Sequence, residues 1–583
     1  MVLSRLLSIE ITTVLLVVLV IFSAIGLTVS HKILVKKGKS LKIWYAVCFL
    51  PLTASVIHFA FHFFKGNEVL TLQLYGGLYF AAVLVALLAL FMRKKFMVCT
   101  VISNIASVVG CLFTLLMLAA NFPAIHNMTS QSYTDSFLST VERMKQEYVL
   151  SEWKEIDYDS IVSEILPMVE KAESENDPVE FYIAMMKYAS YFYDGHVGAL
   201  ADGENGGQIR AEARKRLAGN DYGFVMYTLE NGKTAAFMVD ENSEAYKNGI
   251  RSGTVITSWN GQPIDEAIAE VEVIYTLENG GYVKRLYTFP VAENEDMLKP
   301  LLLSGKGGDE VIVGYIDENG IEQTVVLASQ GKLYNRLDSA LSRLFAVQTT
   351  DRSNNFNTYM LTDNCGYLQI NSESYEFVTD IKAYITGSYL EITEMLTEKL
   401  TELEQQGMDR LIIDLRNNSG GSGEISAAVA ALFTEEKKLL YIVDGTNKVD
   451  GIDDDRYVHG VGTFKDLDVV VLVNSTCASA GDMMTKQLMS CENVTVMGIS
   501  GSNCCGQASG GVCVLTDSNV SIAYPVNRTL DENGVYQIDT KPDRVTRLSI
   551  DVYIPVTEEA AVRIFDNSED YELEYALEYL SKE

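Results

Sequence analysis

The chain has 583 residues, with 46 Lys and Arg against 77 Asp and Glu, for a formal net charge of −31. That length allows roughly three to five domains, and so acidic a balance excludes nucleic acid, or an anionic lipid surface, as a partner recruited by charge.

The apolar residues are unevenly spread. Residues 11–27, 44–64, 70–92 and 98–122 are long stretches almost free of charge, each near the length that crosses a bilayer, so four transmembrane helices are expected. A cleaved signal peptide would explain only the first of them. Lys32, Lys36, Lys37, Lys39 and Lys42 lie between the first two stretches, and Arg93, Lys94 and Lys95 between the last two. Basic loops stay cytoplasmic, so the expectation is a multi-pass cell-membrane protein, integral to the bilayer, with everything after about residue 124 extracytoplasmic. That remainder holds 36 basic and 75 acidic residues, a net charge of −39.

From 133 to 193 the pattern is helical. Phe137, Val141, Met144 and Tyr148, then Ile161, Ile165 and Val169, then Phe181, Met185, Tyr188 and Phe192 recur every three or four residues. Asp157 and Asp177-Pro178 read as helix starts. The run ends abruptly at Tyr193-Asp194-Gly195-His196-Val197-Gly198, and 208–217 reads as a charged helical connector. Residues 221–327 read as mostly β. Tyr222-Gly223-Phe224-Val225 opens a strand, 243–249 is a short helix, and Asn260-Gly261 between apolar strands is a hairpin signal. This run resembles the PDZ family, with its last strands delayed to 310–313 and 323–327. The resemblance implies capture of a peptide tail as an added strand, with Tyr222, Gly223 and Phe224 as the peptide-binding, carboxylate-loop residues.

From about 354 strands and helices alternate: strand 366–370, helix 389–405, strand 411–415, then the β-branched run 469–473. The first buried strand runs into Asp414-Leu415-Arg416-Asn417-Asn418-Ser419-Gly420-Gly421, a turn whose backbone N–H groups can approach a ligand closely. The second breaks into Asn474-Ser475-Thr476-Cys477-Ala478-Ser479-Ala480-Gly481-Asp482 before an amphipathic stretch. Ser479 would sit at a helix N-terminus, where free N–H groups favour an oxyanion. An ordinary strand-to-helix turn of small residues reads the same way.

A serine nucleophile needs a base within hydrogen-bond reach. Beyond His126, the residues after the apolar region offer only His196 and His459. His196 follows Asp-Gly at the end of a helical run, whereas His459 lies in Asp-rich loop sequence over 451–462. Lys486 is two helical turns past Ser479, about 10 Å away, too far for proton transfer. Six of the nine cysteines, Cys365, Cys477, Cys491, Cys504, Cys505 and Cys513, follow the apolar region; they have no zinc-ligand spacing, so neither metal nor cofactor is expected. Three of them, Cys477, Cys504 and Cys505, fall near the serine and raise the question of redox control.

The Asp414–Gly421 turn, the serine turn, Asp194-Gly195-His196-Val197 and the inserted PDZ-like module together resemble the carboxyl-terminal processing (tail-specific) peptidases and their tricorn-core relatives. The resemblance implies serine endopeptidase cleavage of a polypeptide substrate. It makes Ser479 the nucleophile, with Gly420 or Gly421 and Ala480 as oxyanion donors. In the Ser–Lys branch a lysine stands where this chain has Cys504. The tricorn-like branch uses a His from the Asp-x-His motif, matched by His196, and a late acid, matched by Asp539 before Lys541-Pro542-Asp543. The expected fold class is therefore multidomain: a four-helix transmembrane region (1–126), a helical segment (127–218), a PDZ-like β domain with an insertion (219–330) and a crotonase-like α/β serine peptidase core (331–583). The rival is a catalytically inactive peptide-binding receptor or scaffold on the same fold, motivated by Cys504 and by Gly481-Asp482 after the serine.

Overall fold

The computed structural model describes residues 125–583 apart from 202–203, 275–289, 347–353, 376–378, 380–388, 446–455, 516–518, 549 and 583. A helical layer comes first. After β1 (Ile125–Asn127) follow α1 (Tyr133–Glu147), α2 (Tyr158–Glu175) and α3 (Pro178–Ser190), then β2 (Gly198–Leu200) and α4 (Gly206–Ala218). Local chemistry sets the helix starts: Asp157 caps α2 through the Ser160 amide, and Asp177 caps α3 through the Val179 and Glu180 amides, with Pro178 at the first helical position. The apolar stripes of α1–α3 meet in one core with Ile522, Tyr524 and Val526 of a later strand.

A β unit follows: hairpin β3 (Val225–Thr228) and β4 (Thr234–Phe237), then β5 (Ile256–Trp259) and β6 (Gln262–Pro263), helix α5 (Ala292–Leu303), β7 (Glu310–Ile316) and β8 (Glu322–Ala328). The second sheet of this unit has the order β6-β5-β7-β8.

The α/β core is built on β9 (Phe356–Met360), β10 (Cys365–Ile370), α6 (Leu390–Gln405), β11 (Arg410–Asp414) and α7 (Gly423–Ala430). It continues with β12 (Lys437–Gly445), β13 (Arg456–His459), β14 (Asp468–Leu472), α8 (Ala480–Met489) and β15 (Val494–Gly498). The chain closes with β16 (Ala508–Val514), β17 (Ser521–Leu530), β18 (Val552–Tyr553) and α9 (Tyr571–Lys582). One sheet has the order β18-β15-β14-β11-β10-β9, parallel except for β9.

Its residues alternate between two faces, as the strand period of two requires. Leu411, Ile413, Val469, Val471, Val494 and Val496 face α6 and α8, whereas Ile412, Val470, Leu472 and Met497 face α9. Burial on both faces explains why β11 and β14 read as unbroken apolar runs. Each fully buried Val, Leu or Ile contributes roughly 1.5–3 kcal/mol, so a charge at Val470 or Val471 would break this layer. The second sheet, β1-β16-β17-β12-β13, receives β2 as a further strand on β17.

One expectation is corrected. The stretches at 11–27, 44–64, 70–92 and 98–122 lie outside the described residues, and among the described residues no helix is long and apolar enough to cross a membrane. The longest, α2, has 18 residues but carries Asp159, Glu164, Glu170, Lys171, Glu173 and Glu175, and each charge near a bilayer centre costs about 2.5–3.5 kcal/mol. The fold class of the described residues is accordingly α/β peptidase-like, with no membrane-crossing helix among them, and the expected multi-pass, membrane-integral location is withdrawn.

Candidate active site

Ser479 caps the N-terminus of α8, directly after the turn that leaves β14. Its backbone lies at φ 62° and ψ −120°, a region sparsely populated by side-chain-bearing residues and costing about 1–3 kcal/mol. Surrounding contacts hold that strain. The Ser479 amide donates to Asp482 Oδ2 at 3.0 Å, the Ala478 amide donates to the Asn418 carbonyl at 2.9 Å, and Met483 N donates to the Ser479 carbonyl at 3.1 Å.

Asp482 is fully buried and serves as a hub. Besides the Ser479 amide it accepts the Cys504 amide at 2.9 Å, the Cys505 amide at 3.0 Å and the Ser502 hydroxyl at 2.5 Å. Burial pushes its carboxyl up to about 6. Asp482 thus ties the serine turn to the 500–505 loop, and its position three residues after a cap serine is the one sequence signal that could have revealed it.

His196 comes from a distant segment of the sequence. The turn Tyr193-Asp194-Gly195-His196 leaves α3 and enters β2, which is fastened antiparallel to β17 through Gly198, Ala199 and Leu200. The His196 amide donates to Asp194 Oδ1 at 2.9 Å, and Asp194 Oδ2 accepts the Tyr148 hydroxyl at 2.8 Å. His196 Nε2 lies 3.0 Å from Ser479 Oγ across 283 residues of sequence. Gly195 packs tightly against the 500–505 loop: a Cβ there would fall 1.8 Å from Asn503 Oδ1 and 2.7 Å from Cys505 Sγ.

The glycine turn lies against the serine. Gly420 has φ +90°, and a Cβ on it would sit 2.7 Å from Ser479 Cβ and 2.8 Å from the Ala480 nitrogen. Its amide is already engaged, donating to Asn418 Oδ1 at 2.9 Å. The Gly420 carbonyl and the Ser422 amide bond with the backbone of Glu373, so in this parallel pairing the Gly421 N–H faces away from Glu373. Ala480 is the first residue of α8, and its N–H has no partner within the helix. Of the three expected donors, Gly421 and Ala480 keep amides suited to an oxyanion, whereas that of Gly420 is spent on Asn418.

Asp539 is buried behind the histidine turn, its Oδ1 2.5 Å from Lys154 Nζ. Burial pushes its carboxyl up, opposed by the Lys154 ammonium and reinforced by Asp194. Lys154 Nζ also donates to the Tyr193 carbonyl at 2.7 Å, so a buried cation joins the histidine turn to the Asp539 loop. Lys154 stands in a charged stretch with no periodic signal, and sequence reading missed it. Among the other bases weighed, His459 ends the exposed edge of β13, and Lys486 Nζ donates to Gln537 Oε1 at 2.6 Å. Cys365, Cys477, Cys491, Cys504 and Cys505 are buried free thiols, and burial pushes those of Cys477, Cys504 and Cys505 up, away from the reactive thiolate.

In the β unit, Tyr222 and Phe224 are buried with their rings edge-on to Trp259. The Gly223 amide donates to Asp221 Oδ1 at 2.8 Å, and that carboxylate is paired with Arg336. A side-chain carboxylate of the chain itself therefore occupies one of the expected loop donors.

Residues 364–546, which include the glycine turn, Ser479 and Asp539, match Peptidase family S41. A carboxyl-terminal-processing protease of Synechocystis sp. is 24% identical over 185 residues, covering 31% of this chain and 40% of that protein. Its counterpart in Picosynechococcus sp. is 29% identical over 126 residues, covering 22% and 26%. The chain thus spans less than half the length of either curated relative. The solved photosystem II D1 C-terminal processing protease is 17% identical, with a TM-score of 0.30 over 76% of this chain and 98% of that one. The family whose model matches the α/β core around Ser479 is thus Peptidase family S41.

Proposed function

We propose that the chain is a serine endopeptidase that cleaves polypeptides through an acyl-enzyme, with Ser479 as nucleophile and His196 as general base. The observation that carries the reading is the 3.0 Å approach of His196 Nε2 to Ser479 Oγ at a strained helix cap. In this mechanism His196 takes the hydroxyl proton as Ser479 Oγ attacks the scissile carbonyl. The Gly421 and Ala480 N–H groups hold the tetrahedral oxyanion, and His196 returns its proton to the leaving amine. Water, deprotonated by the same imidazole, then releases the acyl group. Asp539 is the proposed acid that steadies the site, sharing its charge with Lys154.

The β unit is proposed to act as a PDZ-like module that captures substrate tails. In support, Tyr222, Gly223 and Phe224 stand at the start of β3, where a carboxylate-binding loop precedes its strand. Amidating the C-terminus of a test peptide should then raise KM and leave kcat unchanged; equal KM values for acid and amide would remove the module from substrate capture.

Incubating the purified chain with a fluorophosphonate tests the chemistry. Labelling should be lost in Ser479→Ala and strongly slowed in His196→Ala. Labelling that persists in Ser479→Ala would sink the proposal.

A further inference from the structure

Glu373 follows β10 and is a buried carboxyl that the mechanism above does not use. Its amide donates to the Gly420 carbonyl at 3.2 Å, and its carbonyl accepts the Ser422 amide at 2.8 Å, so its backbone brackets Gly421. Its side chain is 1% exposed. Oε1 accepts Asn418 Nδ2 at 3.0 Å, whereas Oε2 is buried with no hydrogen-bond partner among the described groups. Asn418, itself fully buried, turns that contact into a relay. Its Oδ1 accepts the Gly420 amide and its backbone carbonyl accepts the Ala478 amide, one residue before the nucleophile.

We propose that Glu373 is a positioning residue for the oxyanion turn, acting through Asn418 to hold Gly420 and thereby aim the Gly421 N–H. This rests on the serine peptidase reading. An Asn side chain at a turn has two near-equivalent orientations, and only one places Oδ1 toward Gly420. An acceptor facing the Nδ2 end selects it, and Glu373 Oε1 is that acceptor. Without it, Asn418 loses the partner that sets its orientation, and the glycine turn loses its brace while the serine turn keeps its own.

The arrangement suits the uncharged acid. Among the described residues, the charged or titratable groups facing it are Asp482 on α8 and the Cys477 thiol of the serine turn, and no cation of theirs contributes to its electrostatics. Burial, reinforced by Asp482, pushes its carboxyl up to about 8. Below that pH, Glu373 keeps a carbonyl oxygen for Asn418 and adds no charge. Above it, Glu373 becomes a buried anion behind the site where the oxyanion must form, so turnover should fall.

The test uses the whole purified chain with fluorescent casein and with a fluorophosphonate, from pH 6 to 9.5, in wild type, Glu373→Gln, Glu373→Ala and Ser479→Ala. Glu373→Gln keeps an acceptor for Asn418 and cannot ionise, so it should retain kcat at pH 7 within about threefold and lose the decline above pH 8. Glu373→Ala should lower kcat about tenfold or more with KM little changed, because a misaimed donor costs transition-state binding alone. An alkaline decline unchanged in Glu373→Gln overturns the proposal, and so does wild-type kcat in Glu373→Ala. If Glu373→Ala fails to fold, the pH profile of Glu373→Gln decides alone. Labelling of Ser479→Ala at the wild-type rate refutes the underlying peptidase reading, and this proposal with it. A silent Ser479→Ala beside unaffected Glu373 variants refutes this proposal only.

Discussion

Replacing Gly195 by Ala puts one methyl group at the seam between the histidine turn and the 500–505 loop. The added Cβ would lie 1.8 Å from Asn503 Oδ1 and 2.7 Å from Cys505 Sγ, whereas comfortable contact begins near 3.5 Å. Something must move by about 1.5 Å, and two responses compete. Asn503 could swing away, giving up its 3.0 Å bond from Nδ2 to the Ser475 carbonyl at about 0.5–1.5 kcal/mol. Alternatively the histidine turn could back off, at an overpacking cost of about 1–3 kcal/mol. Asn503 is fully buried and its amide also donates to the Cys477 carbonyl at 2.8 Å, so the loop resists and the histidine turn should yield. A displacement of about 1 Å between His196 and Ser479 costs roughly a hundredfold in rate. Gly195→Ala should therefore remain folded, lose about 1–3 kcal/mol in denaturant unfolding and be labelled by a fluorophosphonate about a hundredfold more slowly than wild type. Wild-type stability together with a wild-type labelling rate would refute the reasoning.

The remaining predictions follow from the same contacts. Ser479→Gly should abolish labelling yet raise the unfolding free energy by about 1 kcal/mol, because glycine relieves a positive φ that Ala at the same position would retain. Lys154→Met leaves Asp539 buried without its cation and should cost about 3–5 kcal/mol, measured by chemical denaturation; a double variant with Asp539→Leu should recover most of that loss. Glu373, whose carboxyl is raised to about 8 in the folded chain, binds its proton more tightly folded than unfolded. Its contribution to stability is full below about pH 4.5 and is lost as the pH rises toward 8, by at most ~1.4 kcal/mol per unit. The stability of Glu373→Gln relative to wild type should accordingly grow between pH 5 and 8, and a difference independent of pH would contradict it.

Much of the core was legible. The apolar runs of β11 and β14 announce buried parallel strands because both faces are covered, and the small residues after each mark turns where backbone can approach a ligand. Ser479 and His196 stood out for different reasons, one by its place after a strand and the other by the scarcity of histidine. What was not legible depends on distant partners. Lys154 reads as an ordinary surface charge until Asp539 and the Tyr193 carbonyl enclose it. Glu373 has no periodic neighbour to mark it as buried. Gly420 carries the glycine signal of an oxyanion donor, yet Asn418 takes its amide, and composition alone could not distinguish it from Gly421.

By itself, then, the sequence determined the alternation of strand and helix and the two glycine- and serine-bearing turns, and it narrowed the candidate bases to a few histidines, because periodicity, turn chemistry and residue counts are local properties. The tertiary structure decided which of these meet. It brought His196 to 3.0 Å from Ser479, bent Ser479 to a positive φ, and placed Asp482, Lys154 and Glu373 out of water where their partners give them roles. Those outcomes depend on burial and on contacts between segments hundreds of residues apart, and a carboxylate or ammonium acquires its chemistry only from the groups that enclose it.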